Sequence, residues 1–599
     1  MLLLLVAFLA LCAHGLRWDS PTVDEFAHLP AGYYYLKTGN FELYNGNPPL
    51  IKMWSALPLL AMAPELDTTA KPRENPWYPW LFATDFMRRN RDRYRELFLA
   101  GRLPVVALGS LLGLLVWRWA RRLYGEAAGV VAMAAVVFCP VLVGHAHLAT
   151  IDVGFALATV GVAWLAQRYW ERPGLGGLLV LGAAVGVALL VKFTAILLYP
   201  ILALLAAVSL ALGVPAAASS TEPPEPPETE TAAPPEPPAT SAPAKPIGRR
   251  VTGREAARAA GAFALMVLVS LAVVDAGYLF HDVGRTAGEL NFHSRVFQAV
   301  SRRLPAGLPL PLPAAFLHGF DSLQRINEDG EYPTYFLGRW LNGVPVSYYL
   351  TTLLLKIPLP LLLAWLAAPF VRPFADGRRR GEVFLWLPAL VLLAVFSLGS
   401  RVGYGIRYVL PIVPLACIYA SRLVPWVLER GRAVQAAALA LLLVYPTAVL
   451  AATPDTLAYF NVLAGGQGDR YLLDSNLDWG QGLERLSAYV ERKGLPGIQL
   501  AYFGHVDPAL YDLRWRFPDP RRPGLVAVSA NFLHGYPYAT NAGGHMIPVP
   551  ADAFTWISRY PRRADLGGGI YIYEVGAGGA GADSSAGDAG GDNGAGVGR

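Results

Sequence analysis

The residues best suited to proton transfer stand near the start of the chain. An acidic pair, Asp24-Glu25, follows directly on the apolar run Met1 to Leu16, with His28 one helical turn beyond Asp24. Thr22 and Glu25 read as a capping box, which sets Asp24, Glu25 and His28 within the first two turns of a helix. Ionisable groups at the edge of hydrocarbon are costly unless solvated or paired, and so mark a functional candidate. A carboxylate so placed can take a proton, and cations beside it can steady an anion. Plainer roles stand beside these: Asp24 as a solvated loop carboxylate, and Glu25 as a cap with no catalytic duty. Asp-Glu-x-x-His echoes the zinc-protease pattern. That pattern needs His where Asp24 stands, so no metal is assigned there.

Other candidates lie further along. Asp152 falls on a short turn between two apolar runs, just after His145 and His147, and capping the next helix is its alternative role. His-x-His on a turn is a weak metal signal by itself. Lys52 follows Pro48-Pro49, which stop whatever precedes them. Lys192 lies between two apolar runs against the positive-inside trend, and Arg407 opens a late apolar run as Arg407-Tyr408. For Arg407 the alternative is an interfacial side chain reaching headgroups, the role preferred for Arg401. Near the C-terminus, Asp474, Asp478 and Trp479 stand where a strand end runs into a helix, a shape suited to a polar ligand. Capping by Asp478 and packing by Trp479 are the alternatives.

The elements that must position these residues are apolar. Of 599 residues, 54% are hydrophobic and only 16% charged, the composition of a polytopic membrane protein with an appended soluble part. The runs expected to cross are Met1–Leu16, Leu97–Trp117, Ala127–Gly144, Val153–Ala166, Gly174–Val191, Ala195–Leu212, Gly261–Leu279, Tyr348–Pro369, Val383–Leu398, Val409–Val424 and Ala433–Ala452, about eleven spans. Arg118, Arg121 and Arg122, Arg168 and Arg172, and Arg430 and Arg432 fall in alternate loops and mark the inside. The net charge of +6 therefore reports topology, and nucleic acid is excluded as a partner. Cys12, Cys139 and Cys417 lie inside apolar runs, so neither a disulfide framework nor a thiolate metal site is indicated.

This reading divides the chain into a transmembrane module over 1–214, a disordered Pro- and Glu-rich inner linker over 215–246, and a second transmembrane module over 247–452. A small extracytoplasmic α/β domain over 453–575 follows, then a disordered tail over 576–599. Within the α/β domain, 498–505, 525–530 and 569–575 read as strands and 479–493 as an amphipathic helix capped by Asp478. The outer loop from Phe280 to about Val346 is expected to fold over the mouth formed by the first loop.

The first loop resembles that of a known family. Asp24-Glu25, the Tyr33 to Tyr35 run, Gly39-Asn40 and Asn47-Pro48-Pro49-Leu50 with Lys52 are similar to the first outer loop of polyprenyl-phosphate-dependent glycosyltransferases of GT-C type, which include the protein O-mannosyltransferases and lipid A aminoarabinose transferases. Asn47 stands where many members carry His. The resemblance implies an α-helical polytopic GT-C fold and an inverting hexosyl- or pentosyltransferase working on the outer face of the membrane. Its donor is a polyprenyl-phosphate sugar, and its acceptor a protein, lipid or glycan. Asp24 would be the base, with Glu25 and Asp152 in the catalytic group. Lys52, Lys192 and Arg407 would hold the donor phosphate, and Asp474, Asp478 and Trp479 the acceptor. No cofactor is required, and a divalent cation is left open. A polytopic transporter or flippase of lipid-linked sugars is the rival class. The Ala, Gly and Arg richness points to a bacterial inner membrane, with the C-terminal domain outside.

Overall fold

The computed structural model describes residues 1–69, 78–211, 253–371, 381–542 and 545–576. The linker over 215–246 and the tail from residue 577 lie outside these residues. The chain forms two compact units, Met1–Leu477 and Asp478–Arg599. Both apolar modules thus belong to one unit, and residues 453–477 pack with them.

The first unit is helical. The apolar runs expected to cross a membrane are helical, but among the described residues length and composition qualify only Arg91–Tyr124, Phe193–Leu210, Ala256–Gly277 and Arg432–Ala452 as spans on their own. Three bent pairs raise the count among the described residues to seven: Leu2–Trp18 with Val23–Thr38, Glu126–Val137 with Pro140–Ala146, and Tyr348–Lys356 with Leu359–Phe370. Proline sits at each bend, at Pro21, Pro140 and Pro358, where it removes a donor and restricts the residue before it. Leu50–Met62, Leu175–Val191, Val383–Gly399 and Ile412–Leu428 are apolar but shorter, so helix length by itself does not establish the eleven spans expected from hydropathy.

The long helix Tyr94–Tyr124 packs against Leu50–Met62, Glu126–Val137 and Asp152–Glu171. Val23–Thr38 lies so close to Leu50–Met62 that a Cβ on Gly32 would meet the Lys52 carbonyl at 2.0 Å, which excludes any larger residue there. One apolar core runs through the unit and includes Trp119, Phe155, Phe193 and Tyr349. The loop after residue 280 carries the helix Ala314–Asp329 and the hairpin Thr334–Phe336 with Arg339–Leu341. Through Asn327, Glu328 and Thr334 it bonds the segment Arg401–Gly403, so Arg401 is tied to the Glu328 carbonyl at 3.0 Å.

The second unit holds a five-stranded sheet ordered 515–516, 498–501, 524–529, 570–575, 562–565. The first three strands are parallel, and the last two pair antiparallel, with Val526 opposite Tyr573. Helix Leu483–Arg492 buries Leu483, Leu486 and Val490 at helical spacing. It starts four residues after the predicted Trp479. Gly480 adopts φ +87°, and Asp478 accepts from the Gly480 amide at 3.1 Å, so Asp478 closes a local turn and Gly482 occupies the cap position.

Candidate functional site

The predicted capping box forms. Thr22 donates to Glu25 Oε2 from its backbone N–H at 3.0 Å and its hydroxyl at 3.1 Å, opening the helix Val23–Thr38. Glu25 does much more than cap. Arg102 donates to both of its carboxylate oxygens, at 2.7 and 2.8 Å, and the Ala149 amide donates to Oε1 at 2.7 Å. Arg102 also reaches the Asp19 and Ser20 carbonyls. Asp19 in turn meets His147 Nε2 at 2.7 Å. Glu25, Arg102 and His147 thus bind helices Val23–Thr38 and Tyr94–Tyr124, the 19–22 turn and the 147–149 turn into one buried node.

Asp24 points elsewhere. Its Oδ2 pairs with Arg407 Nη1 at 2.5 Å. Arg407 rides on the 3₁₀ turn Gly405–Tyr408, beside the stacked rings of Tyr404 and Tyr408, whose centroids lie 4.7 Å apart. Lys192 also lies over Tyr408, 4.3 Å from the ring centroid, and donates to Asp152 Oδ1 at 2.9 Å. Lys192 occupies the extended break after helix Leu175–Val191. Asp152 is the first residue of helix Asp152–Glu171 and makes no capping bond, so the capping alternative is not realised. Two cations and two carboxylates from four separate elements therefore meet around one tyrosine.

Asp474 joins this group. It lies in the 3₁₀ turn Asp474–Asn476, and its acidity responds to both Arg407 and Asp24. Burial pushes its carboxyl up to about 6; Arg407 pulls it down and Asp24 adds to the rise. The same turn fixes the Arg407 turn: Ser475 donates to the Tyr404 carbonyl at 3.0 Å, and Asn476 Oδ1 accepts from the Ile406 amide at 3.0 Å. Gly405, at φ +75°, lies against the Asn476 side chain, where a Cβ would come within 2.6 Å. Lys356 adds to the support, donating to the Leu457 and Asn476 carbonyls.

Three predicted site residues are held in other surroundings. Lys52, 1% exposed, donates to Tyr35 Oη at 3.2 Å and to the carbonyls of Tyr44 and Asn47 at 2.5 and 2.7 Å, which occupies its three protons. It pins the 44–47 loop. Asp478 and Trp479 belong to the second unit, 0% and 2% exposed, with Asn531 donating to the Asp478 carbonyl. Sequence reasoning noted Tyr408 only as the neighbour of Arg407 and missed Arg102, Tyr404, Ser475 and Asn476. A lone Arg inside an apolar run was a usable signal for Arg102. Nothing in local spacing marked the other three. No three His, Cys, Asp or Glu side chains converge as a metal-binding set among the described residues.

Residues 95–216 match the family model of dolichyl-phosphate-mannose-protein mannosyltransferases. No curated protein matches the chain. Among solved structures, the chain is similar to apo ArnT from Cupriavidus metallidurans, at 14% identity over 96% of this chain and 98% of that one, with a TM-score of 0.44. ArnT bound to undecaprenyl phosphate gives 15% identity, 97% and 99% coverage and a TM-score of 0.42. The archaeal oligosaccharyltransferase AglB from Archaeoglobus fulgidus, in complex with an inhibitory peptide and a dolichol-phosphate, gives 12%, 82% and 58%, and 0.41. Over the segment that holds Arg102, Asp152 and Lys192, the chain is thus similar to lipid-phosphate-dependent mannosyltransferases, in keeping with the GT-C resemblance of its first loop.

Proposed function

We propose that the chain is an integral membrane glycosyltransferase that moves a sugar from a polyprenyl-phosphate donor to a protein, lipid or glycan acceptor, with inversion at the anomeric carbon. The observation that carries this reading is the double ion pair around Tyr408, Asp24 with Arg407 and Asp152 with Lys192. Transfer requires a base for the acceptor hydroxyl and cations for the departing phosphate. Asp24 is the better base of the two, since its side chain is 19% exposed against 1% for Asp152. An arriving phosphate competes with Asp24 for Arg407, so donor binding frees the carboxylate. Asp24 then takes the acceptor proton, the oxygen attacks the anomeric carbon, and the bond to phosphate breaks with its electron pair leaving on the lipid phosphate. Arg407 and Lys192 neutralise that charge. Asp474, beside Arg407, is assigned to the acceptor side. Glu25 and Lys52 act as positioning residues, because their partners leave them nothing to offer a substrate.

The outer face is supported by charge placement. Asp152 opens a helix of 20 residues, about 30 Å long, whose far end carries Arg168. Arginine-rich ends face the cytoplasm, so the acidic ends face out, here from a bacterial inner membrane. The test is transfer from labelled polyprenyl-phosphate sugar by reconstituted protein. Asp24→Asn is expected to lower the rate by about 10²–10⁴ while donor binding persists. Movement of the lipid across the bilayer without sugar transfer would overturn the reading in favour of a flippase.

A further inference from the structure

His28 is buried one turn beyond Asp24, and neither of its ring nitrogens has a hydrogen-bond partner among the described residues. Its ring packs against that of Tyr44, with centroids 5.4 Å apart. It lies four residues after Asp24 on helix Val23–Thr38, and Asp24, Asp152 and Arg407 of the site all act on it electrostatically, as does Lys52. A second orphan belongs to the same group. Oδ1 of Asp152 takes Lys192, but Oδ2 is buried with no partner among the described residues. Buried polar atoms are rarely left unpaired, because each has given up water with no replacement. Two such residues in one cluster, on different helices, point to a ligand that completes both.

We propose that His28 and Oδ2 of Asp152 form a subsite that reads hydroxyl groups on the donor's sugar, an inference that rests on the glycosyl-transfer reading above. Neutral imidazole offers one N–H and one lone pair, and the carboxylate oxygen offers lone pairs alone. A sugar hydroxyl both donates and accepts, so it satisfies either partner. A phosphate oxygen only accepts, and it would meet the charge of Asp152. The phosphate therefore goes to Arg407 and Lys192, and the His28 side of the cluster takes the sugar. A pocket built to bond a hydroxyl discriminates strongly against a ligand that lacks it, because its own polar groups are then left bare.

The experiment compares bare polyprenyl phosphate with polyprenyl phosphate carrying a hexose, both binding to the full-length protein in nanodiscs. Wild type is expected to prefer the hexose-bearing lipid, and His28→Phe to weaken that lipid by roughly tenfold to a hundredfold while leaving bare lipid unchanged. His28→Gln, which restores a donor and an acceptor, is expected to recover part of the preference. His28→Phe is also expected to melt no lower than wild type, since it removes orphaned nitrogens from the interior. Equal weakening of both lipids, or a preference untouched by His28→Phe, overturns the subsite and leaves the donor assignment standing. Failure of wild type to bind either lipid would overturn the donor assignment itself, and the subsite with it.

Discussion

Two ion pairs leave the same helical turn in opposite states. Glu25 and Arg102 are 0% and 2% exposed, joined through both carboxylate oxygens and backed by Thr22 and Ala149, whereas Asp24 and Arg407 keep 19% and 12% exposure and one short contact. The first pair has satisfied its hydrogen-bonding capacity within the protein, so its geometry is fixed and its charges are unavailable. The second pair meets solvent, and a stronger anion can draw its cation away. Adjacent carboxylates thus divide the work: one holds the mouth in shape, and the other acts in it.

The sharpest way to break that division is to remove Glu25. Glu25→Ala leaves the Arg102 guanidinium buried and unpaired, which is expected to cost about 3–5 kcal/mol. Thermal and denaturant unfolding of the solubilised protein measures it. Asp24→Asn, at the pair that keeps 19% and 12% exposure and whose variant amide can still accept from Arg407, is expected to cost clearly less. Equal stability losses at the two positions would remove the distinction between frame and site.

The second test asks whether Arg407 and Lys192 differ as their surroundings suggest. Arg407→Ala is expected to lower kcat by about 10²–10³, the scale of losing one charge-stabilising donor, with the fold intact. Lys192→Met removes a similar share of activity but also strands Asp152, which is 1% exposed, so its melting temperature falls as well. Arg407→Lys keeps the charge and loses the planar fork, and is expected to fall between wild type and Arg407→Ala. Identical melting temperatures for Arg407→Ala and Lys192→Met would show that burial does not separate the pairs.

How far the sequence revealed this division depends on the kind of interaction. The helical character of the apolar runs, the capping box at Thr22 and the gathering of Asp24, Asp152, Lys192 and Arg407 were readable, the last through a family likeness carried by the first loop. Lys52 was placed on the donor phosphate because a cation after Pro-Pro-Leu looks available. Only the fold brings the carbonyls of Tyr44 and Asn47 onto it. The same holds for Glu25, whose partner Arg102 is 77 residues away. Asp478 looked like a cap because the pattern favours it, but Gly480 turns the chain left-handed before the helix can start. Local rules name the groups that can do chemistry, and long-range contacts decide which of them remain available.

The smallest effect, and the one that most refines the comparison, concerns Asp474. Its carboxyl is raised to about 6 by burial, against the pull of Arg407, from an ordinary value of 3.8. Between about 4 and 6 the folded protein therefore holds a proton that the unfolded chain has released. Stability falls as pH rises through that window and levels off above it. Above 6 Asp474 is an anion beside Arg407, competing with the donor phosphate for the same guanidinium, so KM for the lipid donor is expected to rise by roughly threefold to tenfold as pH passes through 6. Asp474→Asn stays neutral throughout and is expected to flatten that rise while leaving kcat at low pH close to wild type. KM profiles between pH 5 and 8 decide it. A step near pH 6 that survives in Asp474→Asn would assign the titration to another group and remove Asp474 from the carboxylates contending for Arg407, leaving Asp24 and Asp152.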